Sequence, residues 1–168
     1  AGNTGPRPTP VTIPVDTVAP GAATLVVTND VSGSVIPNGG VTSDTTPVLS
    51  GSAEAGSIVT VLDGTTLVGS ALVGSDGNWT LTPATALSET LHTLNVTVTD
   101  AAGNVSATTS ATLVIDATPP VAITGLAAVN NNGSTPVAIA AGGVTNDSTP
   151  RLSGTAEANS IVTIRDGD

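Results

Sequence analysis

The sequence has 168 residues, with 13 acidic side chains against three arginines, no lysine, and a formal net charge of −10. One Trp (Trp79), one His (His92) and no Cys, Met, Tyr or Phe rule out disulfides and thiol catalysis and leave a core of Val, Leu, Ile and Ala. Nucleic-acid binding is excluded because a phosphate backbone needs clustered Lys and Arg, and no apolar run reaches the ~18 residues of a membrane span.

β-Branched residues with frequent Gly and Pro predict strands joined by tight turns. The first element is a period-two run in which Ala23, Leu25 and Val27 alternate with Thr24, Val26 and Thr28. A Gly/Asn-rich loop follows. Ile58-Val-Thr-Val-Leu62 is a strand closed by the turn Asp63-Gly64, and residues 66–73 return from it. Ser75-Asp-Gly-Asn78 is a second tight turn, leading into Trp79 and Leu81. Residues 83–89 are the one place where a short helical turn fits. Leu94, Val96 and Val98 then share a face, and Val105 to Ile115 forms a long last strand. Trp79 reads as core, and His92, a lone imidazole with no second His or Cys, as a surface or edge residue.

Internal repetition organises the chain. The block from Thr42 to Gly64 returns from Thr145 to Gly167, 103 positions on, and Val15-Asp-Thr-Val-Ala-Pro20 returns as Ile115-Asp-Ala-Thr-Pro-Pro120, 100 positions on. The three extra residues fall in the Gly/Asn-rich loop. Ala1-Gly-Asn3 echoes Ala102-Gly-Asn104. Expected organisation is therefore the last strand of a preceding repeat with its linker at 1–15, a complete repeat at 16–116, and the first part of another at 117–168. About seven strands per repeat predict an all-β, immunoglobulin-like (fibronectin III-like) β-sandwich in tandem, without the immunoglobulin disulfide. The sequons at Asn78, Asn95, Asn104 and Asn132 need no explanation beyond composition.

Seven alternating strands give a sandwich two poles. A proximal pole receives the linker with Asp16, the loop at Glu54, the turn at Asp76 and the loop from Asp100 to Asn104. A distal pole carries Asp44, Asp63 and the outgoing Asp116. Asp and Gly make good turns, which accounts for Asp63, Asp76 and Asp166. Asp16, Glu54 and Asp100 converge with few basic neighbours, so they repel one another unless neutralised. A hard divalent cation does that, with backbone carbonyls and Asn104 completing an oxygen shell. The expected Ca²⁺ ligands are Asp16, Glu54, Asp100 and Asn104, with Asp116 and Glu157 at the next junction; Asp44, Asp63 and Asp76 are secondary candidates.

Asp16-Thr-Val-Ala-Pro20 with Asp116-Ala-Thr-Pro-Pro120, the run Ser50-Gly-Ser-Ala-Glu-Ala-Gly-Ser57 and Val98-Thr-Asp-Ala-Ala-Gly-Asn104 resemble the bacterial Ig-like repeats of giant biofilm-associated proteins and type I-secreted RTX adhesins. The likeness covers nearly the whole chain. It implies a non-enzymatic stalk, exported by a type I system, anchored at the outer membrane and extracellular, supporting adhesion and biofilm formation. It also implies calcium at inter-repeat junctions, carried here by Asp16, Glu54, Asp100, Asp116 and Glu157. The expected partners are neighbouring repeats of the same chain, with no membrane insertion in this segment. Two alternatives stand beside it: a self-associating surface fibre or lattice, since an incomplete 117–168 would leave strand edges unpaired, and a glycan- or host-protein-recognition module, for which Trp79 is the only aromatic platform. An acid–base pair such as Glu54 and Asp100 formally suits hydrolysis, but short loops and repetition of the cluster argue against an enzyme.

Overall fold

A computed structural model describes Gly2, Gly5 and residues 12–166, and divides the chain into two compact units, Ala1–Ala117 and Thr118–Asp168. The expected strand at 1–15 lies largely outside the described residues, and 12–15 carry no strand.

Unit 1 contains β1 (Val26–Thr28), β2 (Val35–Ile36), β3 (Gly40–Thr42), β4 (Val48–Ser52), β5 (Ile58–Asp63), β6 (Thr66–Leu72), β7 (Asn78–Leu81), β8 (Leu91–Thr99) and β9 (Thr109–Ile115). They build two sheets, ordered β2-β1-β4-β7 and β3-β9-β8-β5-β6. All pairings are antiparallel except β3 with β9, which is parallel. Period-two alternation fixes which side chains meet between the sheets. Val27, Ile36, Leu49 and Trp79 from one sheet pack against Val59, Val61, Leu94, Val96, Val98, Leu113 and Ile115 from the other. Burying such side chains contributes roughly 1.5–3 kcal/mol each, so this seam holds the unit together. The all-β sandwich read from the sequence is the observed fold.

Three local expectations are corrected. The Gly/Asn-rich stretch contains β2 and β3: Gly39, at φ 79°, turns the chain from one sheet to the other. A Cβ on Gly40 would stand 2.8 Å from the Pro37 carbonyl oxygen, so the turn closes too tightly for a side chain. The last strand starts at Thr109 rather than Val105, because the Ser106 hydroxyl takes the Val98 N–H (2.9 Å) and displaces the ladder, leaving Val105 one isolated bridge to Thr99. Residues 83–89 form no helical turn; Leu87 N–H donates to the Thr45 carbonyl (2.8 Å) and ties the segment down as a loop.

Unit 2 repeats part of this plan. Its strands β10 (Thr124–Asn130), β11 (Val137–Ile139) and β12 (Arg151–Thr155) are ordered β11-β10-β12, as β2-β1-β4 are in unit 1. Residues 161–164, the counterpart of β5, form no strand. In unit 1 that segment is paired on both sides, by β6 and β8.

Candidate cation site

The loops at the proximal pole of unit 1 are set by their own backbone hydrogen bonds. Between β4 and β5, Ser57 N–H donates to the Glu54 carbonyl (3.2 Å) and Gly56 N–H to that of Val73 (3.1 Å). After β8, Asp100 N–H donates to the Asn104 carbonyl (3.1 Å), closing a short loop. Together with the incoming chain these loops form one shallow cleft lined by Pro14, Asp16, Glu54, Ser57, Asp100 and Ala102.

Asp100 is the most constrained carboxylate in the cleft. Its Oδ1 accepts the N–H groups of Ala102 (2.9 Å) and Asn104 (2.8 Å), and its Oδ2 accepts Asn104 Nδ2 (2.8 Å). The Asn104 amide, helped by the backbone N–H groups of the loop and opposed by partial desolvation, holds the Asp100 pKa below its ordinary value. Asn104 Nδ2 also donates to the Asp16 carbonyl (3.3 Å), so one side chain already links the loop to the linker. Asp16 accepts the Val18 N–H (3.0 Å) on Oδ1, and the exposed Glu54 carboxylate has no hydrogen-bond partner among the described residues.

The donors present are hard oxygens, the kind calcium takes, and the one imidazole of the chain is committed elsewhere. Among the described residues, no three of His, Asp and Glu stand close enough to share one ion as placed. Asp16, Glu54 and Asp100 share a cleft but not a point. Asp76, also at this pole, accepts from Asn78 twice (3.2 and 2.8 Å), and the Asn78 side chain foremost lowers its pKa.

At the distal pole of unit 1, the carboxylates of Asp44 and Asp63 accept backbone N–H groups. Buried Asp44 accepts the Asp30 N–H (2.8 Å) on one oxygen and the Thr46 N–H (2.9 Å) on the other. Asp147 repeats this in unit 2, with Asn131 N–H at 2.8 Å and Thr149 N–H at 2.9 Å, and these backbone donors lower its pKa, Asn131 foremost. Asp63 accepts the Thr93 N–H (3.0 Å) and pairs with His92 Nδ1 at 2.7 Å. Exposed Asp116 donates its N–H to the Thr42 carbonyl (2.9 Å). In unit 2, Glu157 Oε2 accepts the Val121 N–H (3.1 Å).

His92 corrects the sequence reading. It is 3% exposed, with Nδ1 on Asp63 and Nε2 2.8 Å from the Ser88 carbonyl. The signal was present: His92 stands two residues before Leu94, on the face that continues through Val96 and Val98. The Asp44 latch was legible too, in the recurrence of an Asp three residues before Pro47 and Pro150. Trp79 is buried in the core seam, its indole N–H without a partner among the described residues, and offers no stacking surface to a glycan.

A family model described as "Bacterial Ig-like domain" matches residues 17–117, the span of unit 1 after the linker carboxylate. The chain belongs to the bacterial Ig-like domain family. Bacterial Ig-like domains are typical of surface and extracellular proteins, and the fold is typically non-enzymatic. No curated protein matches the sequence. Among solved structures, one described as "Structure of Protease" is 17% identical, with a TM-score of 0.37; the match covers 60% of this chain and 19% of that one. At that level the likeness carries no argument about this Ig-like repeat.

Proposed function

We propose that the chain is a spacer from the stalk of a large bacterial surface adhesin, exported by a type I system and supporting adhesion and biofilm formation, with calcium stiffening its inter-repeat junctions. The observation that carries this reading is where the two linkers meet unit 1. The incoming chain reaches the pole of Glu54 and Asp100, through the Asn104–Asp16 hydrogen bond, and the outgoing Asp116 leaves beside Thr42 at the opposite pole. A module entered at one end and left at the other adds its length to a fibre. At ~3.3 Å per residue along its strands, each repeat contributes on the order of 40 Å.

Calcium supplies charge neutralisation at the cleft. Asp16 and Glu54 are exposed and weakly engaged, so their side chains are free to swing toward Asp100, which like any ordinary aspartate is ionised at neutral pH. Asn104 holds the linker within reach. Asp116 and Glu157 carry the same side-chain types into the following repeat. Since only the native fold brings linker and loops together, the ion stabilises the folded state and stiffens the joint.

The test is a thermal melt followed by Trp79 fluorescence, with and without chelator, on the natural chain and on Asp100→Asn. Calcium is expected to raise the melting point of the natural chain and not of the variant. A melting point indifferent to both would remove calcium from the reading and leave the sandwich intact.

A further inference from the structure

The first and last strands of unit 1 are both interior strands. β1 lies between β2 and β4, and β9 lies between β3 and β8. The outer flank of each is covered by the same short piece of chain, residues 35–42. Its first part, β2, pairs with β1 (Val27 with Ile36, Thr28 with Val35); its second part, β3, runs parallel to β9 (Gly40 with Leu113, Val41 with Val114, Thr42 with Ile115). The turn between them is fastened to β9 as well. Asn38 Oδ1 accepts Thr112 N–H (2.7 Å) and the Thr112 hydroxyl (3.2 Å), and Gly39 N–H donates to the Thr112 carbonyl (2.7 Å). One segment therefore grips both terminal strands and crosses between the sheets.

We propose that residues 35–42 form a mechanical buckle, and that unit 1 resists extension because both strands through which tension enters are clamped in shear. β1 starts near the proximal pole, where Thr24 N–H donates to the Ser52 carbonyl (2.9 Å), and ends at the distal pole, where Asn29 N–H donates to the Ser34 carbonyl (2.9 Å). β9 runs the same way, from Thr109, whose hydroxyl donates to the Ala23 carbonyl (2.6 Å), to Asp116 beside Thr42. Tension on the chain ends thus pulls β1 toward the proximal pole and β9 toward the distal pole, each along its own axis. Ladder hydrogen bonds lie across the strands, so this pull loads them together rather than one at a time. Unit 2 keeps the β1 half of the device, β11 on β10, with Gly143 N–H on the Ala140 carbonyl (2.8 Å) as Gly40 N–H is on that of Pro37 (2.8 Å).

The biological use of the buckle rests on the tether reading above. Its mechanics do not depend on calcium, so the pulling experiment is run in chelator, where the failure of either idea leaves the other standing. The chain has no native cysteine, so thiol handles at the two ends of the full chain are unambiguous. Unit 1 gives the longer of two extension steps. Forced unfolding follows the unfolding rate, and losing about two hydrogen bonds from the barrier speeds it on the order of tenfold. Asn38→Ala is expected to unfold about tenfold faster at constant force. Asn38→Asp, which keeps the acceptor, is expected to stay near the natural rate. Val73→Ala, in the core but off the clamp, is expected to lower the melting point with a smaller effect on forced unfolding. As a check that needs no clamp variant, handles at Thr65→Cys and Ala117→Cys pull two distal-pole points apart across the strands and are expected to open the unit sooner than end-to-end pulling. Equal lifetimes in the two geometries, or for Asn38→Ala and the natural chain, would overturn the proposal.

Discussion

Replacing Asp44 by Ala removes a feature that both units carry and that no strand pattern displays. The carboxylate is 9% exposed and accepts two backbone N–H groups, from Asp30 at 2.8 Å and Thr46 at 2.9 Å. Bonds of this charge-assisted kind contribute roughly 1.5–3 kcal/mol each, and the orphaned donors can recover part of that from water. A net loss of about 2–4 kcal/mol is expected, or roughly 10–25 °C in melting temperature for a unit of this size. Asp44→Asn keeps one good acceptor and should fall between the two. Trp79 is the only tryptophan, is buried in the unit 1 core, and so reports this unit alone. The melt is run with and without chelator, because hydrogen bonds to the protein backbone are indifferent to free calcium. A variant melting within about 2 °C of the natural chain would refute the latch. A loss that vanished in chelator would show that Asp44 acts through an ion instead.

Three further outcomes follow from the same geometry. Burial works against a charged His92, but the Ser88 carbonyl and Asp63 outweigh it and raise its pKa, so the linked stability is complete below about pH 6.5 and is lost as pH rises through the folded value. Unit 1 should therefore melt higher near pH 6 than near pH 8, and the single imidazole resonance should titrate above about 6.5 by NMR; a value at or below that would contradict the double-acceptor site. In Gly51→Ala the added Cβ would collide with the Thr24 backbone carbonyl, so the chain leading into β1 must move away from β4, at a cost of about 1–3 kcal/mol, read from the denaturation midpoint. Amides of β10 and β12, whose side chains are mostly exposed, should exchange faster than those of β5 and β8, whereas equal protection would show that unit 2 is as well supported as unit 1.

Much of this fold was written in side-chain alternation. Leu94, Val96 and Val98 announce a buried face, and the Asp63-Gly64 turn announces a hairpin, because both signals are local. The segment at 35–42 was not legible, since its residues look like loop and become strand only by finding partners from residues 26–28 and 113–115. By its chemistry His92 reads as an edge residue, but its place in the alternation with Leu94, Val96 and Val98 buries it. At the proximal pole, repetition and topology located Asp16, Glu54 and Asp100 in one cleft, but sequence does not specify side-chain reach. Whether three acids meet at one point or merely share a cleft depends on rotamers and on what neutralises them. The role of Asn104 in binding both the Asp16 carbonyl and Asp100 is likewise a matter of three-dimensional distance, invisible in spacing alone.

Calorimetric titration of the chain with Ca²⁺, beside Glu54→Gln and Asp100→Asn, addresses the tether most directly. Binding at the proximal pole should saturate below millimolar calcium in the natural chain and weaken on either substitution; a concentration one hundred times the dissociation constant corresponds to about 2.7 kcal/mol of added stability. Absence of saturable heat at millimolar Ca²⁺, or binding untouched by both substitutions, would contradict the claim that an ion joins linker to loops.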